Sequence, residues 1–262
     1  YFFDQLRLMI TDFMNDGARR GQPVYLNNKG GNVNWPEGVG CREKDNLRLA
    51  QIGPKWQSCT TFGTSFGYLE AEDAEDYPHK KKSVREVIHE MIEVISRNGN
   101  FLINIGPRAD GTIPEWQVER LRAMGDWLKI NGAAIYGSRY WHTTGQANAH
   151  LAFTTNGKKL YAICLQQPQP FTIEATKGWT AADVESVRLL GSEGKVEWAI
   201  DENGLRITPP SDFGASHHAW AFEILTTKNQ HTPADLGNAL QEKRQTVIHS
   251  EDSTDYSDEK KK

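Results

Sequence analysis

The chain has 262 residues, 38% of them hydrophobic and 24% charged, an ordinary globular balance that can bury one large core or two modest ones. Its formal net charge of −4 supplies no positive field for nucleic acid or an anionic membrane surface, so neither is an expected partner. No run approaches the roughly 18 apolar residues of a membrane-spanning helix, and the first residues carry neither a basic segment nor a cleavage site.

Phe3, Leu6, Met9, Ile10, Phe13 and Met14 recur at helical spacing and predict an amphipathic helix to Arg19, ended by Gly17 and Gly21-Gln22-Pro23. The chain opens inside this pattern without an initiator Met and is expected to be a fragment. Val24 to Lys29 reads as a short buried strand with a polar carboxyl end, where a β/α barrel keeps functional side chains. Residues 30–49 form a long loop holding Glu37 and the cluster Arg42-Glu43-Lys44-Asp45, and loops of that length are uncommon unless they do something. Trp56-Gln57-Ser58-Cys59 and Ser65-Phe66-Gly67-Tyr68 offer the aromatic and small polar residues that line a sugar pocket, or else a core. Glu70 to Lys82 has the composition of a solvated loop.

Ser83-Val84-Arg85-Glu86 is a capping box, and it opens a helix whose inward stripe is Val84, Val87, Ile88, Met91, Val94 and Ile95. His89 lies off that stripe and is given no role. Phe101 to Ile105 is a short apolar run between Gly99 and Gly106-Pro107, the mark of a strand covered on both faces. In the polar loop that follows, Thr112 is placed to cap the next helix, with Pro114 in its first turn and Glu115 closing the box. That helix turns Val118, Leu121, Met124 and Leu128 inward and ends at Asn131-Gly132.

After Tyr140-Trp141 the apolar period changes from 3.6 to 2. Leu151–Thr155, the turn Asn156-Gly157 and Leu160–Leu165 read as a hairpin that places Leu160, Ala162 and Cys164 on one face and Tyr161, Ile163 and Leu165 on the other. Further strands are predicted at Phe171–Glu174, Val184–Leu190, Val196–Ile200, Leu205–Thr208 and Trp220–Leu225. The fold class is therefore α/β, a partial (β/α) TIM-like barrel of late strands and helices in residues 1–141, followed by a small antiparallel β-sandwich in 142–227. Residues 228–262 are too polar to offset their ordering entropy and read as a disordered tail, with a weak helix at Ala234–Thr246. Cys41, Cys59 and Cys164 show no metal or disulfide pattern; Cys41 and Cys59 pair only if their loops meet, and otherwise all three are free thiols. No metal or other cofactor is expected.

One ordered run is more specific than any of these signals. Asn98-Gly99-Asn100, Asn104-Ile105-Gly106-Pro107 and Asp110-Gly111-Thr112-Ile113-Pro114, followed by Trp127-Leu128 and Asn131-Gly132-Ala133-Ala134-Ile135-Tyr136, resemble the late-barrel signature of the family-29 glycoside hydrolases, the retaining α-L-fucosidases. The resemblance implies a barrel with an accessory sandwich behind it, and a fucosylated glycan as substrate. Retaining hydrolysis needs two carboxyl groups about 5–5.5 Å apart, one nucleophile and one acid/base. In one branch of the family a strand ending in Asn-x-Lys precedes a loop with the acid/base glutamate. Asn27-Asn28-Lys29 followed by Glu43 matches that order, although the residues around Glu43 depart from the commoner versions of the motif.

A carboxylate beside Arg42 and Lys44 would ordinarily be more acidic, so Glu43 needs those cations turned away and burial to raise it. The alternative is a surface ion-pair cluster, and Glu37 is a second candidate for the acid/base. Lys29 is assigned to a sugar hydroxyl or to holding a carboxylate ionised, against the reading of a solvated lysine. Trp56 and Phe66 are assigned to the sugar's C–H face and methyl, against core packing. Phe2-Phe3-Asp4 mimics the family's nucleophile strand, but Asp4 runs straight into the first helix and reads better as its N-cap or first turn. The nucleophile is expected upstream of Tyr1. Two other functions stay open, a noncatalytic carbohydrate-binding or interaction module and a related exo-glycosidase acting on galactose-like sugars. Compartment, whether secreted, periplasmic or lysosomal, and oligomeric state are not readable.

Overall fold

The computed structural model describes residues 2–22, 24, 27–28, 39–43, 55–79 and 81–230, with backbone alone at 2–3, 27–28 and 39–43. The chain divides into two compact units, 1–40 with 233–262, and 41–232. Lys29, Glu37, the side chains of Cys41 and Glu43, and the predicted tail beyond residue 230 lie outside the described set.

In the first unit, helix α1 spans Phe2–Arg19 and carries Asp4 in its first turn. Gly17 sits inside this helix instead of ending it. A Cβ there would come within 2.6 Å of a Val24 methyl, so the glycine admits a close crossing. Gly21, at φ +63, makes the stop. Strand β1 (Asn27–Asn28) pairs in parallel with the start of β2 (Val39–Glu43), Asn27 opposite Val39. The stretch predicted as one long loop thus contains a strand, and Glu43 is its last residue.

In the second unit, β3 (Trp56–Thr61) and β4 (Gly99–Asn104) run parallel, with Trp56 opposite Gly99 and Thr61 opposite Asn104. Helix α2 (Val84–Ser96) is the crossover between them. Both halves of its capping box are made, the Glu86 N–H donating to Ser83 Oγ and the Ser83 N–H to Glu86 Oε2. Val87, Ile88, Met91, Ile92 and Val94 are buried, close to the predicted stripe. β4 is less enclosed than its apolar run suggested, because Leu102 is 42% exposed.

Helix α3 (Glu115–Asn131) begins after Pro114, without a side-chain cap. Thr112 is engaged elsewhere, since its N–H and hydroxyl both donate to Asp110 Oδ1 in a turn within the loop. Its buried residues are Gln117, Met124, Trp127 and Asn131, and the helix tightens into a 3-10 turn at Gly132–Ala134 instead of stopping in a left-handed cap.

Residues 139–226 form two antiparallel sheets. The larger has the order β5 (Arg139–Gln146), β6 (Leu151–Asn156), β7 (Lys159–Cys164), β12 (Trp220–Thr226), β9 (Val184–Leu189); the smaller is β10 (Glu197–Asp201), β11 (Gly204–Thr208), β8 (Phe171–Ile173). Asn156 pairs with Lys159, so the hairpin turn is Gly157-Lys158, with Gly157 at φ +59 in the first position. One core fills the space between the two sheets and takes Leu160, Ala162 and Cys164. On the other face Tyr161, Ile163 and Leu165 join a second core with α2 and α3. The five-stranded sheet is therefore covered on both sides, and its strands carry alternate residues into two different cores.

Candidate functional site

Parallel strands gather chemistry at their carboxyl ends. Thr61 and Asn104 end β3 and β4 side by side, and between them they hold the loop that carries Phe66. The Thr61 hydroxyl donates to the Ser65 carbonyl at 3.1 Å, and Asn104 Nδ2 donates to the Phe66 carbonyl at 2.6 Å. Gly106 lets the next strand-end loop approach, since a Cβ there would lie 2.8 Å from the Gly67 carbonyl carbon and the Tyr68 nitrogen. The ring of Phe66 is half-buried.

The acidic stretch read as solvated loop organises this loop. It forms a 3-10 turn, Glu70–Asp73. Glu72 is 3% exposed and accepts from the Thr64 N–H at 2.6 Å and the Thr64 hydroxyl at 2.7 Å. Asp73 accepts three side-chain donors from three segments, Tyr68 Oη at 2.9 Å, Arg108 at 2.7 Å and Trp116 Nε1 at 3.1 Å. Burial alone would raise the Asp73 carboxyl, but the hydrogen bonds from Arg108, Tyr68 and Trp116 outweigh it and hold the group below the usual carboxylate range. Arg108 also lies over the Tyr68 ring, and Lys81 and Arg120 lie over Trp116, so those aromatic faces are occupied by cations.

Of the residues assigned from sequence, Phe66 is at this carboxyl edge, and Glu43 ends β2, a strand parallel to its neighbour β1. Lys29, which directly follows β1 in the sequence, is outside the described residues. Trp56 is not a pocket wall. It begins β3, at the opposite end of the strand from Phe66, is 6% exposed, donates its indole N–H to the Arg97 carbonyl at 2.8 Å and packs where a Cβ on Gly99 would strike its ring. His89 does have a partner, its Nε2 meeting the His218 carbonyl at 2.8 Å, and since a carbonyl only accepts, that nitrogen carries the proton. Sequence reasoning missed Glu72 and Asp73 because an acidic loop reads as solvated. The available signal was the placement of Tyr68, Tyr77 and Trp116, aromatic residues with polar tips, on either side of the acidic run.

Cys164 is buried, and burial pushes its thiol up, so it is not a nucleophile at neutral pH. Among the described residues, no three His, Cys, Asp or Glu side chains converge as metal ligands would. A cavity of about 460 Å³ lies at the other end of β4, lined by Lys55, Asn100, Phe101, Tyr136 and Arg139 among others, away from the Phe66 loop.

Strand–helix units with polar loops at the carboxyl edge, joined to an antiparallel two-sheet module, define the class as an α/β unit with an accessory β-domain. Residues 8–133 match the family model described as alpha-L-fucosidase, and residues 144–225 match the alpha-L-fucosidase C-terminal domain. The chain belongs to the α-L-fucosidase family. It is 34% identical over 222 residues to the tissue alpha-L-fucosidase of Homo sapiens, covering 82% of this chain and 46% of that protein. A Thermotoga maritima alpha-fucosidase solved with a mechanism-based inhibitor superimposes with TM-score 0.62 at 26% identity, over 77% of this chain and 45% of the other. Isoenzyme 1 of the Paenibacillus thiaminolyticus alpha-L-fucosidase gives TM-score 0.65 at 24% identity, over 83% and 53%, and shows the fold. The chain spans about half the length of the curated relatives it matches.

Proposed function

We propose that this chain supplies the later part of a (β/α) barrel, in residues 1–141, and the sandwich behind it, in 142–227, of a retaining α-L-fucosidase that releases terminal fucose from glycans. The observation that carries the reading is the coincidence of both family matches with Glu43 and the Phe66 loop at the carboxyl ends of parallel strands. Glu43 is the acid/base. It gives a proton to the departing glycosidic oxygen while a second carboxylate attacks the anomeric carbon, and it then removes a proton from the water that releases fucose. Asp4, in the first turn of α1, is suited to the helix N-terminus and not to the nucleophile's role. Lys29 is assigned to a sugar hydroxyl or to the ionised carboxylate, and Phe66 to the sugar's apolar face.

The test is Glu43→Ala in the protein expressed from its full reading frame. Loss of general acid catalysis hurts poor leaving groups most, and loss of the base slows the second step for all substrates. The variant is expected to lose about 10²- to 10⁴-fold on a glycan fucoside, much less on an activated aryl fucoside, and to regain turnover with azide as a fucosyl azide. Equal losses on both substrates without azide rescue would remove Glu43 from the role.

A further inference from the structure

Every residue from 64 to 68 is tied down, each by its own contact. Glu72 holds Thr64, Thr61 holds Ser65, Asn104 holds Phe66, the Ser65 hydroxyl accepts from the Gly67 N–H and Asp73 holds Tyr68. A surface loop that needed only to connect β3 to the next helix would not require five anchors, one of them a buried carboxylate. Such over-determination is what a loop needs when one side chain must stand in a fixed place before its ligand arrives.

Asp73 is the anchor that also reaches outside the loop. Through Arg108 it grips the loop after β4, and through Trp116 the first turn of α3, so it sets where the Phe66 loop stands relative to the neighbouring strand-end loop. Arg108 lies over the Tyr68 ring, and Lys81 and Arg120 lie over the Trp116 ring, so both rings are part of the clamp.

We propose that Asp73 is a positioning residue for sugar recognition, fixing the 64–68 loop so that Phe66 already stands against the bound fucose and its C6 methyl. This rests on the assignment of Phe66 to the sugar made above. A pre-placed apolar wall acts alike on bound substrate and transition state, so loosening it raises KM and leaves kcat nearly unchanged.

The experiment compares Asp73→Asn, Arg108→Ala and Phe66→Ala in the protein expressed from its full reading frame, with an aryl α-L-fucoside and the matching pentoside that lacks the C6 methyl. Asp73→Asn is expected to raise KM for the fucoside roughly three- to tenfold, to shrink the preference for fucoside over pentoside by a similar factor, and to speed amide hydrogen exchange across 64–68. Arg108→Ala breaks the same clamp from a part-exposed position, so it should reproduce these shifts even if Asp73→Asn folds poorly. A purely structural role would lower the melting temperature and leave the sugar preference untouched. If Phe66→Ala erodes the preference while the two clamp variants do not, the positioning role is overturned and the contact stands. If Phe66→Ala itself changes neither KM nor preference, the contact assignment fails and the proposal with it.

Discussion

Asn131 shows how one residue can be read correctly as punctuation and still be misjudged. Sequence makes Asn131-Gly132 a helix stop, and α3 does end there. The side chain, however, is fully buried and serves distant partners: its amide donates to the Trp127 carbonyl at 3.2 Å and to Ser216 Oγ at 2.9 Å, and its oxygen accepts from the Ala221 N–H at 3.4 Å. Ser216 and Ala221 are 85 and 90 residues away, and no local rule can see them. Asn131→Ala would take the acceptor from the buried Ala221 N–H, while Ser216 Oγ keeps its bond to the Ala219 carbonyl, so a loss of about 1–3 kcal/mol in denaturant unfolding is expected. A loss under about 0.5 kcal/mol would mean that water replaces the amide. The same blindness misplaced Trp56, whose aromatic character suggested a sugar wall. Its indole N–H lies against the Arg97 carbonyl, a partner 41 residues on.

Elements were legible where apolar period and end signals agreed. Helix α2 has both, a 3.6-residue stripe and the Ser83–Glu86 box, and its bounds fall where the pattern puts them. Ser83→Ala should therefore cost about 1 kcal/mol, read as a lower melting temperature, while Ser83→Asp should be close to neutral because aspartate also caps. Equal loss in both would argue that the box contributes nothing. β7 was legible down to its faces, because alternation is fixed by the pleat. β2 and β5 were not. β2 is short and carries a glycine at its second position, and β5 is a polar strand, Arg-Tyr-Trp-His-Thr-Thr-Gly-Gln, whose pairing with β6 shifts register between Tyr140 and Gly145. A bulged strand has no clean period of two. At the candidate site, Glu43 was assigned from the resemblance and Phe66 from an aromatic ring among small polar residues, whereas the part of Glu72 and Asp73 in holding the Phe66 loop could be seen only once the turn at Glu70–Asp73 brought them to it.

On the scale of the 41–232 unit, α2 and α3 lie against one face of the five-stranded sheet, and the contacts between them gather near β12. Trp127 Nε1 donates to the Ala219 carbonyl at 2.9 Å, and His89 to the His218 carbonyl. His218 is half-buried, at φ +73, and burial, then Arg85, His217 and His89, all push its imidazole below the ordinary histidine value. The unfolded chain takes up this proton near pH 6.5, but the folded one does so only at lower pH. Between those values the unfolded state holds more protons, so the stability associated with neutral His218 is present above about pH 6.5 and is lost as pH falls through the folded value. The carboxylates act lower. For Glu223, burial raises the pKa, but Arg188 and Lys159 lower it further, and Asp73 is likewise depressed, so their stabilisation persists until the pH drops below about 4. Thermal unfolding should therefore weaken in two stages on acidification, first as the pH falls below about 6.5 and again below about 4. His218→Asn, which tolerates the left-handed backbone and cannot be protonated, should reduce the slope of the first stage, leaving the share of His142, which burial also lowers, and leave the second unchanged. If melting temperature against pH shows the same first-stage slope in wild type and His218→Asn, the proton is being taken up elsewhere and the seam between α2 and β12 is not its site.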